Sequence, residues 1–329
     1  MSVASCYRRI GPAQHAGGEN VIHVNAPASH TTFATGRERL LGHLAMVAFA
    51  GLVAGSFSLG ALAAPHLSPA ALNAMRFAIA TGVMAGVAMA MMGGRLDRPR
   101  AVWRYGVLGA LMAVFFITMF VALQFTDPVS TGAVFTLMPL ASAGFGWLFL
   151  GQVPRGVVWA SLLLAAAGSV WVIFGGDAAA LLAFDVGRGE LIFFVGVLGH
   201  AAYAPLMRRF NRGEPGVVFT LWTVAATGLC IAAWGLRDIA VTDWTALPAQ
   251  VWIAILYLAT FTSGVTFFLT QYASMRLPAA KVLAYSYLTP SFIILYEGLL
   301  GHGWVSASVA AGALVTVLGL AVMAAAPDR

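Results

Sequence analysis

Apolar residues are distributed along the chain in long runs that are separated by short polar or glycine- and proline-rich stretches. A helix of about 20 residues, rising about 1.5 Å per residue, is long enough to cross the hydrocarbon core of a bilayer. The pattern therefore predicts ten membrane-spanning helices, near residues 43–63, 70–92, 102–123, 129–149, 156–175, 190–208, 216–236, 250–271, 280–299 and 304–325.

Residues 128–175 share a pattern with residues 279–325. Each stretch contains a proline inside an apolar run, a glycine that closes that run and a glycine inside the next run: Pro139, Gly151 and Gly168, then Pro290, Gly301 and Gly319. The interval from the proline to the second glycine is the same, because 168−139 equals 319−290. This weak repeat predicts two five-helix units, residues 43–175 and 190–325, joined by an extracytoplasmic linker over 176–189.

The two ends of the chain differ from these units. Residues 1–42 mix Gly, Pro, Ser, Asn and His without a sustained period, which predicts a mobile cytoplasmic tail. The histidines of the tail are irregularly spaced, so a metal-binding tail is the less favoured alternative. Residues 326–329 form a short cytoplasmic C-terminus in this scheme.

The amino-acid composition shows whether the helix bundle faces water or lipid. Hydrophobic residues make up 60% of the chain and charged residues 9%, against about 45–50% and about 25% in soluble domains. So few charged side chains cannot cover a water-facing surface, which excludes a soluble globular protein. We expect an all-α integral membrane protein of a bacterial inner membrane.

Arginine and lysine positions predict the orientation. With both termini in the cytoplasm, only Arg188 and Arg237 lie outside and Arg76 lies within a span, while the other fifteen of the 18 basic residues lie inside. Such a bias is the positive-inside pattern of membrane proteins.

A unit with an odd number of helices begins and ends on opposite sides of the membrane, so the second unit must be inverted relative to the first. Corresponding loops of the two units should then differ in their content of basic residues. The loop near 64–69 has no basic residue, whereas its counterpart near 208–215 contains Arg208, Arg209 and Arg212. The other corresponding loops also exchange charge. Ten helices in two inverted repeats are typical of secondary transporters, which hold substrate near the midplane between the repeats.

Two ionisable residues lie inside predicted spans near the outer surface. Arg76 is about two helical turns into the second span, and Glu297 lies about 25 Å along the ninth span from its inner end. Ionisable groups at such depths mark gates or proton relays, or form structural ion pairs. Arg76 and Glu297 are therefore candidates for an outer gate or for proton coupling.

A second group of candidates could line a substrate cavity. His200 lies near the middle of the sixth span and shares a helix face with Tyr203. Trp222, Tyr285 and Tyr287 complete the cavity candidates. The alternative for His200 is a neutral structural histidine bonded to a neighbouring helix.

Several predicted spans contain prolines and glycines. Pro139, Pro205 and Pro290 are candidate helix breaks, because proline removes a backbone donor. The pairs Gly51 with Gly55, and Gly82 with Gly86, have the spacing that lets another helix approach closely.

Several of these marks, taken in order, resemble the drug/metabolite transporters of the EamA type over residues 43–325. The marks are Pro69 followed by Arg76, Ala122-Leu123-Gln124-Phe125-Thr126 leading through Pro128 to Pro139, Gly151-Gln152, Gly168, and again Pro290, Gly301 and Gly319. The family usually has a glutamate after the glycine at the ends of helices four and nine, where this chain has Gln152 and His302. The resemblance implies that helices one to four and six to nine surround a central cavity, with helices five and ten outside, and it favours export.

No motif for ATP hydrolysis or another enzymatic reaction is present, and we expect neither a cofactor nor a bound metal. The sequence predicts a secondary transporter that moves a small metabolite, an amino acid derivative or a drug-like compound by alternating access. A channel, a membrane scaffold and a membrane-embedded enzyme are the alternatives. The expected partners are the substrate, the lipid bilayer and protons, without nucleic acid, and the oligomeric state stays open, a homo-oligomer included.

Overall fold

The computed structural model describes residues 33–327 apart from positions 64, 65, 97, 123, 127, 185, 300 and 302, and describes only the backbone at 56–58, 60–62, 120, 128–130, 133 and 297. This part of the chain is helical throughout, with turns and loops between the helices and no β-strand.

The helices follow one another with short connections. In chain order they are α1 (Gly36–Ala63), α2 (Pro69–Met91), α3 (Trp103–Ala122), α4 (Pro128–Phe135), α5 (Met138–Leu150), α6 (Gly156–Ile173), α7 (Ala178–Leu182), α8 (Arg188–Phe210), α9 (Gly216–Trp234), α10 (Leu236–Val241), α11 (Ala249–Ala259), a π-helical segment (Thr260–Val265), α12 (Thr266–Ser274), α13 (Ala279–Ala284), a 3-10 segment (Tyr285–Leu288), α14 (Thr289–Leu299) and α15 (Ala307–Ala325).

Many of these helices suit a bilayer. Among the described residues, seven helical stretches are long and apolar enough to cross a membrane: Gly36–Gly55, Pro69–Met91, Gly156–Ile173, Arg188–Phe210, Gly216–Trp234, Ala249–Ser274 and Ala307–Ala325. Shorter apolar helices cover Trp103–Met119 and Met138–Leu150. The chain therefore folds as an all-helical, multi-pass membrane protein.

The fourth and ninth predicted runs are not single helices. The fourth is divided at Thr136 and Leu137 between α4 and α5, and the ninth contains the 3-10 segment between α13 and α14. Pro139 lies in the first turn of α5, and Pro290 is the second residue of α14. A proline lacks the N–H that would continue the preceding helix but is well tolerated in a first turn.

The prediction of a helix break at Pro205 is wrong. Helix α8 continues through Pro205 from Arg188 to Phe210. The missing N–H removes one bond of the helical ladder. Long helical flanks on the N-terminal side and tight packing against α3 keep the helix in one piece.

Two boundaries differ from the predicted ones. Helix α1 begins at Gly36, inside the stretch assigned to the tail. The linker contains α7, which begins at Ala178. The preceding residue, Asp177, caps the helix, because its carboxylate accepts hydrogen bonds from the N–H groups of Ala179 and Ala180. Polar helix ends of this kind carry no apolar periodicity, so the apolar pattern alone does not reveal them.

Helices α6 and α15 form an extensive pair through Gly168 and Gly319. A Cβ atom on Gly168 would lie 2.6 Å from the Gly312 carbonyl oxygen, and one on Gly319 would lie 2.9 Å from the backbone nitrogen of Ala165. The two glycines that mark the sequence repeat thus let these two helices touch through their backbones.

The two other glycine pairs differ in how closely they are packed. Gly51 lies against Tyr296 and Gly55 against Tyr257, in agreement with close packing. A Cβ atom on Gly82 or Gly86, by contrast, would meet nothing within 4 Å. The expectation of tight packing at Gly82 and Gly86 is therefore wrong for the described residues, because that face of α2 has no neighbouring helix against it.

The main buried core lies where the helices of the two sequence units meet. Helix α3 packs on α8 and α9, α2 packs on α9, α1 packs on α11 and α12, and α5 packs on α8 and α13. Large side chains that are at most 1% exposed, including Phe77, Phe219 and Tyr287, fill this core. Helices from both units thus share one apolar interior.

Candidate functional site

Six aromatic side chains form a closed ring in the core, which we call the six-ring cluster. Its neighbouring ring centroids lie 4.6–6.3 Å apart in the order Phe77, Phe116, Phe115, His200, Tyr203, Phe267 and back to Phe77. Most neighbours meet edge to face, which is a favourable arrangement for aromatic pairs. The cluster joins α2 and α3 of the first unit to α8 and α12 of the second.

Glycines on α8 bring its histidine into this cluster. A Cβ atom on Gly196 would lie 3.1 Å from the Phe115 Cα atom, and one on Gly199 would lie 3.0 Å from the Leu111 carbonyl oxygen. Helices α8 and α3 therefore approach backbone to backbone at this level. His200 follows directly and places its ring 4.6 Å from that of Phe115.

His200 is deeply buried, with 7% of its surface exposed. Its Nδ1 atom has no hydrogen-bond partner among the described residues. Tyr203, one turn further along α8, is 2% exposed. Buried polar groups are nearly always paired in folded proteins, so a buried imidazole nitrogen without a described partner calls for an explanation.

Arg76 lies at the edge of the six-ring cluster. Its guanidinium carbon is 4.9 Å from the centroid of the Phe116 ring, and the residue is 8% exposed. Its Nε atom donates to the Ser263 hydroxyl at 2.6 Å, and its Nη2 atom donates to the Thr262 carbonyl at 2.8 Å. Both acceptors belong to the π-helical segment.

The π-helical segment explains why a carbonyl is available to Arg76. The wider turn changes the hydrogen-bond register of the helix, and such segments are frequent at functional sites. Within the segment and in α12 after it, the hydroxyls of Thr262, Thr266 and Thr270 donate to carbonyls one turn back along the chain. These hydroxyls therefore satisfy their own helix rather than a cavity.

Tyr285 and Tyr287 lie in the core but outside the six-ring cluster. The Tyr285 hydroxyl and the His43 Nδ1 atom are 2.8 Å apart, which ties the 3-10 segment to α1. The Tyr287 hydroxyl donates to the Thr136 carbonyl at 2.9 Å, at the break between α4 and α5. This buried hydrogen bond thus joins the two interrupted stretches of the chain at the level of their irregular segments.

Trp222 and Glu297 are the remaining candidates. Trp222 is half-buried on α9, and its Nε1 atom has no partner among the described residues. It packs against both the main core and a smaller cluster near the end of α2, and it is not a member of the six-ring cluster. The Glu297 side chain lies outside the described residues, as do His302 and the tail histidines at positions 15, 23 and 30.

A cavity of about 270 Å³ is lined by residues that do not belong to the six-ring cluster. The end of α5 and the starts of α6 and α13 form its walls, which include Gln152, Arg155 and Lys281. Gly151 adopts a left-handed conformation with φ of 64°, and the Gln152 Oε1 atom then accepts a hydrogen bond from the Ala279 N–H at 3.0 Å. Gln152 therefore fastens the end of α5 to the start of α13.

Sequence reasoning did not identify Phe77, Phe115, Phe116 or Phe267. A phenylalanine in an apolar run carries no local signal that separates a site from ordinary core. The one available clue is the adjacency of Phe77 to Arg76. Ser263 was also missed, because the π-helical segment that presents it has no sequence signature.

Comparison with known proteins agrees with this architecture. The model of the EamA-like transporter family matches the chain twice, over residues 40–174 and 187–325. The protein called uncharacterized transporter YyaM of Bacillus subtilis (strain 168) is 24% identical over 281 residues, which cover 84% of this chain and 92% of that protein.

The fold has a counterpart among solved structures. One protein crystal structure superposes with a TM-score of 0.69 at 24% sequence identity, covering 87% of this chain and 95% of the other. That likeness concerns the fold alone. With both halves matched by the same family model, the chain belongs to the EamA-like transporter family.

Proposed function

We propose that this protein is a secondary active transporter that moves a small metabolite, an amino acid derivative or a drug-like compound by alternating access. In this proposal the chain crosses a bacterial inner membrane ten times, with both termini in the cytoplasm. Residues 43–175 and 190–325 are inverted five-helix repeats, and export is the favoured direction because the family resemblance favours it.

The packing of the helices supports an inverted repeat. When each helix is replaced by its counterpart in the other unit, α6 with α15 and α2 with α9 map onto themselves. The contact between α3 and α8 maps onto the contact of α11 and α12 with α1. A contact pattern that is unchanged by this exchange is what a twofold relation between the units requires.

The six-ring cluster is the observation that carries the proposal. Three of its rings come from each unit, so a movement of one unit against the other separates the rings and opens the cluster. A site at the boundary between repeats can face either side of the membrane without a change in its own residues. The rings are in contact in this structure, which corresponds to a closed state of the site.

Coupling to protons is part of the proposal and is assigned to Glu297. A carboxylate that loses water on closure binds a proton more readily, and a proton gradient could then drive transport. If Glu297→Gln leaves the pH profile of transport unchanged, coupling through Glu297 is excluded.

The test of transport is counterflow in proteoliposomes. Vesicles that contain the purified protein are loaded with one unlabelled compound and diluted into its labelled form, over a panel of metabolites, amino acid derivatives and cationic or anionic drugs. A carrier gives a transient overshoot of label inside the vesicles, whereas a channel only equilibrates. Absence of overshoot for the whole panel with folded protein would contradict the proposal.

Substitutions in the six-ring cluster test whether the substrate binds there. We expect His200→Ala to abolish counterflow while size-exclusion behaviour and helix content stay as in the unmodified protein, because His200 lies within the six-ring cluster. Val195→Ala is the matched control, since Val195 is on the same helix but 54% exposed. Unchanged counterflow in His200→Ala would reduce His200 to a packing residue.

A further inference from the structure

Arg76 is a buried cation whose observed hydrogen bonds go to neutral acceptors. A guanidinium has five N–H donors, and its bonds to Ser263 and Thr262 use two of them. Arg104 pairs with Glu214 and Arg276 pairs with Glu38, and Arg76 belongs to neither of these ion pairs. A buried charge without an opposite charge is costly, so the site favours an anion that comes from elsewhere.

The surroundings of Arg76 define the rest of such a ligand. The Phe116 ring lies against the guanidinium, and Phe115 connects Phe116 to His200. Ring faces and edges favour a flat apolar body over a flexible polar one. The His200 Nδ1 atom, which has no described partner, offers one further hydrogen bond within the same cluster.

We infer that the transported substrate carries an anionic group on a flat apolar body, with Arg76 binding the anion and the six-ring cluster binding the body. This inference rests on the proposed transport function. The anionic group can be a carboxylate, a sulfonate or a phosphate monoester, since all three accept the paired N–H donors of a guanidinium. A cationic substrate is disfavoured by direct repulsion from Arg76.

The test uses benzenesulfonate and benzenesulfonamide, two probes of nearly the same shape that differ in charge at neutral pH. Their binding to the full chain in detergent is measured by isothermal titration calorimetry. We expect benzenesulfonate to bind about tenfold or more tightly than benzenesulfonamide. Arg76→Gln should weaken benzenesulfonate binding about 30-fold or more and leave benzenesulfonamide binding little changed.

Arg188 supplies the matched control. Its guanidinium carbon also lies over an aromatic ring, 4.7 Å from the centroid of Phe125, but the residue is exposed at the start of α8. Arg188→Gln should therefore bind both probes as the unmodified protein does. If Arg76→Gln does not fold, Arg76→Lys takes its place, and we expect it to keep the preference for the anion with weaker binding, since lysine retains the charge but not the fork of donors.

Several outcomes would overturn the inference. Equal binding of the two probes, or benzenesulfonate binding that survives in Arg76→Gln, removes Arg76 as the anion site. Binding of benzenesulfonate that appears only in Glu297→Gln would show that Glu297 is the resident counter-ion of Arg76, which also contradicts a substrate anion.

Failure of this inference is distinguishable from failure of the transport proposal. Counterflow of neutral or cationic compounds without a charge preference in binding would leave transport in place and remove the anionic substrate. Charge-selective binding without counterflow of any compound would do the reverse.

Discussion

The buried side chain of Arg104 has three hydrogen-bond partners. Arg104, only 1% exposed at the start of α3, donates to the Phe210 carbonyl, to the Arg100 carbonyl and to the Glu214 carboxylate. These bonds fasten α3 to the end of α8 and to the loop before α9. The side chain of Arg104 therefore connects α3, the end of α8 and the loop before α9.

The ion pair between Arg104 and Glu214 depends on pH, because the Glu214 carboxyl titrates. Burial alone would raise the pKa of Glu214, but hydrogen bonds from the Arg104 guanidinium and from the Arg212 N–H outweigh it, so the pKa lies below the ordinary value of 4.5. A carboxyl whose pKa is lowered by folding stabilises the fold above its unfolded pKa, and this contribution is lost as pH falls through the folded pKa.

We predict that Glu214→Gln lowers the free energy of unfolding by about 1–3 kcal/mol at neutral pH, because Arg104 loses its anionic partner. The loss of stability on acidification below about pH 5 should be smaller in this variant than in the unmodified protein. Thermal unfolding in detergent across a pH series measures both effects. An identical acid response in the two proteins would show that Glu214 is not the titrating group.

At the scale of helices, interruptions and close approaches position the interior. The break between α4 and α5 and the 3-10 segment after α13 occupy corresponding places in the two units, and each precedes a proline. The Tyr287 hydroxyl connects them through the Thr136 carbonyl. Irregular backbone inside a membrane protein is tolerated where it is buried against other helices, as it is here.

Tyr287→Phe removes this connection and nothing else. We predict a loss of about 0.5–1.5 kcal/mol, the net value of one buried hydrogen bond, seen as a lower unfolding midpoint. Tyr272→Phe is the matched control, because its hydroxyl makes only a long exposed contact of 3.5 Å with Glu38. Equal midpoints for the two variants would mean that the link contributes nothing measurable.

The contact between α6 and α15 gives a second prediction for elements. Gly168→Ala places a methyl group 2.6 Å from the Gly312 carbonyl oxygen, so the helices must separate and we expect a loss of about 1–3 kcal/mol. Gly82→Ala, whose methyl group meets nothing within 4 Å, should be neutral or slightly stabilising. A thermal-shift comparison that found Gly168→Ala as stable as Gly82→Ala would contradict the packing described for Gly168.

At the scale of the molecule, the apolar periodicity predicted a helical membrane protein, and the repeated Pro139 and Pro290 pattern predicted two related units, both of which the structure and the family match support. Of the candidate site residues, His200 and Tyr203 were placed on one helix face by spacing alone, and their rings lie 6.3 Å apart.

Other features depend on tertiary contacts that a single sequence does not encode locally. The four phenylalanines of the six-ring cluster lie on three helices and are ordinary apolar residues within their own runs. Trp222, Tyr285 and Tyr287 have side chains that suit a cavity, and the fold places them in or beside the main core but outside the six-ring cluster.

The inverted arrangement of the two units is tested most directly by the sidedness of two corresponding turns. Val153, 74% exposed after α5, and Val305, 38% exposed after α14, follow the paired glycines Gly151 and Gly301. Each is replaced by cysteine in a background with Cys6→Ser and Cys230→Ala, and intact cells are treated with a membrane-impermeant maleimide. We predict labelling of Val305→Cys in intact cells and of Val153→Cys only after permeabilisation. Labelling of both variants, or of neither, in intact cells would contradict the inverted repeat.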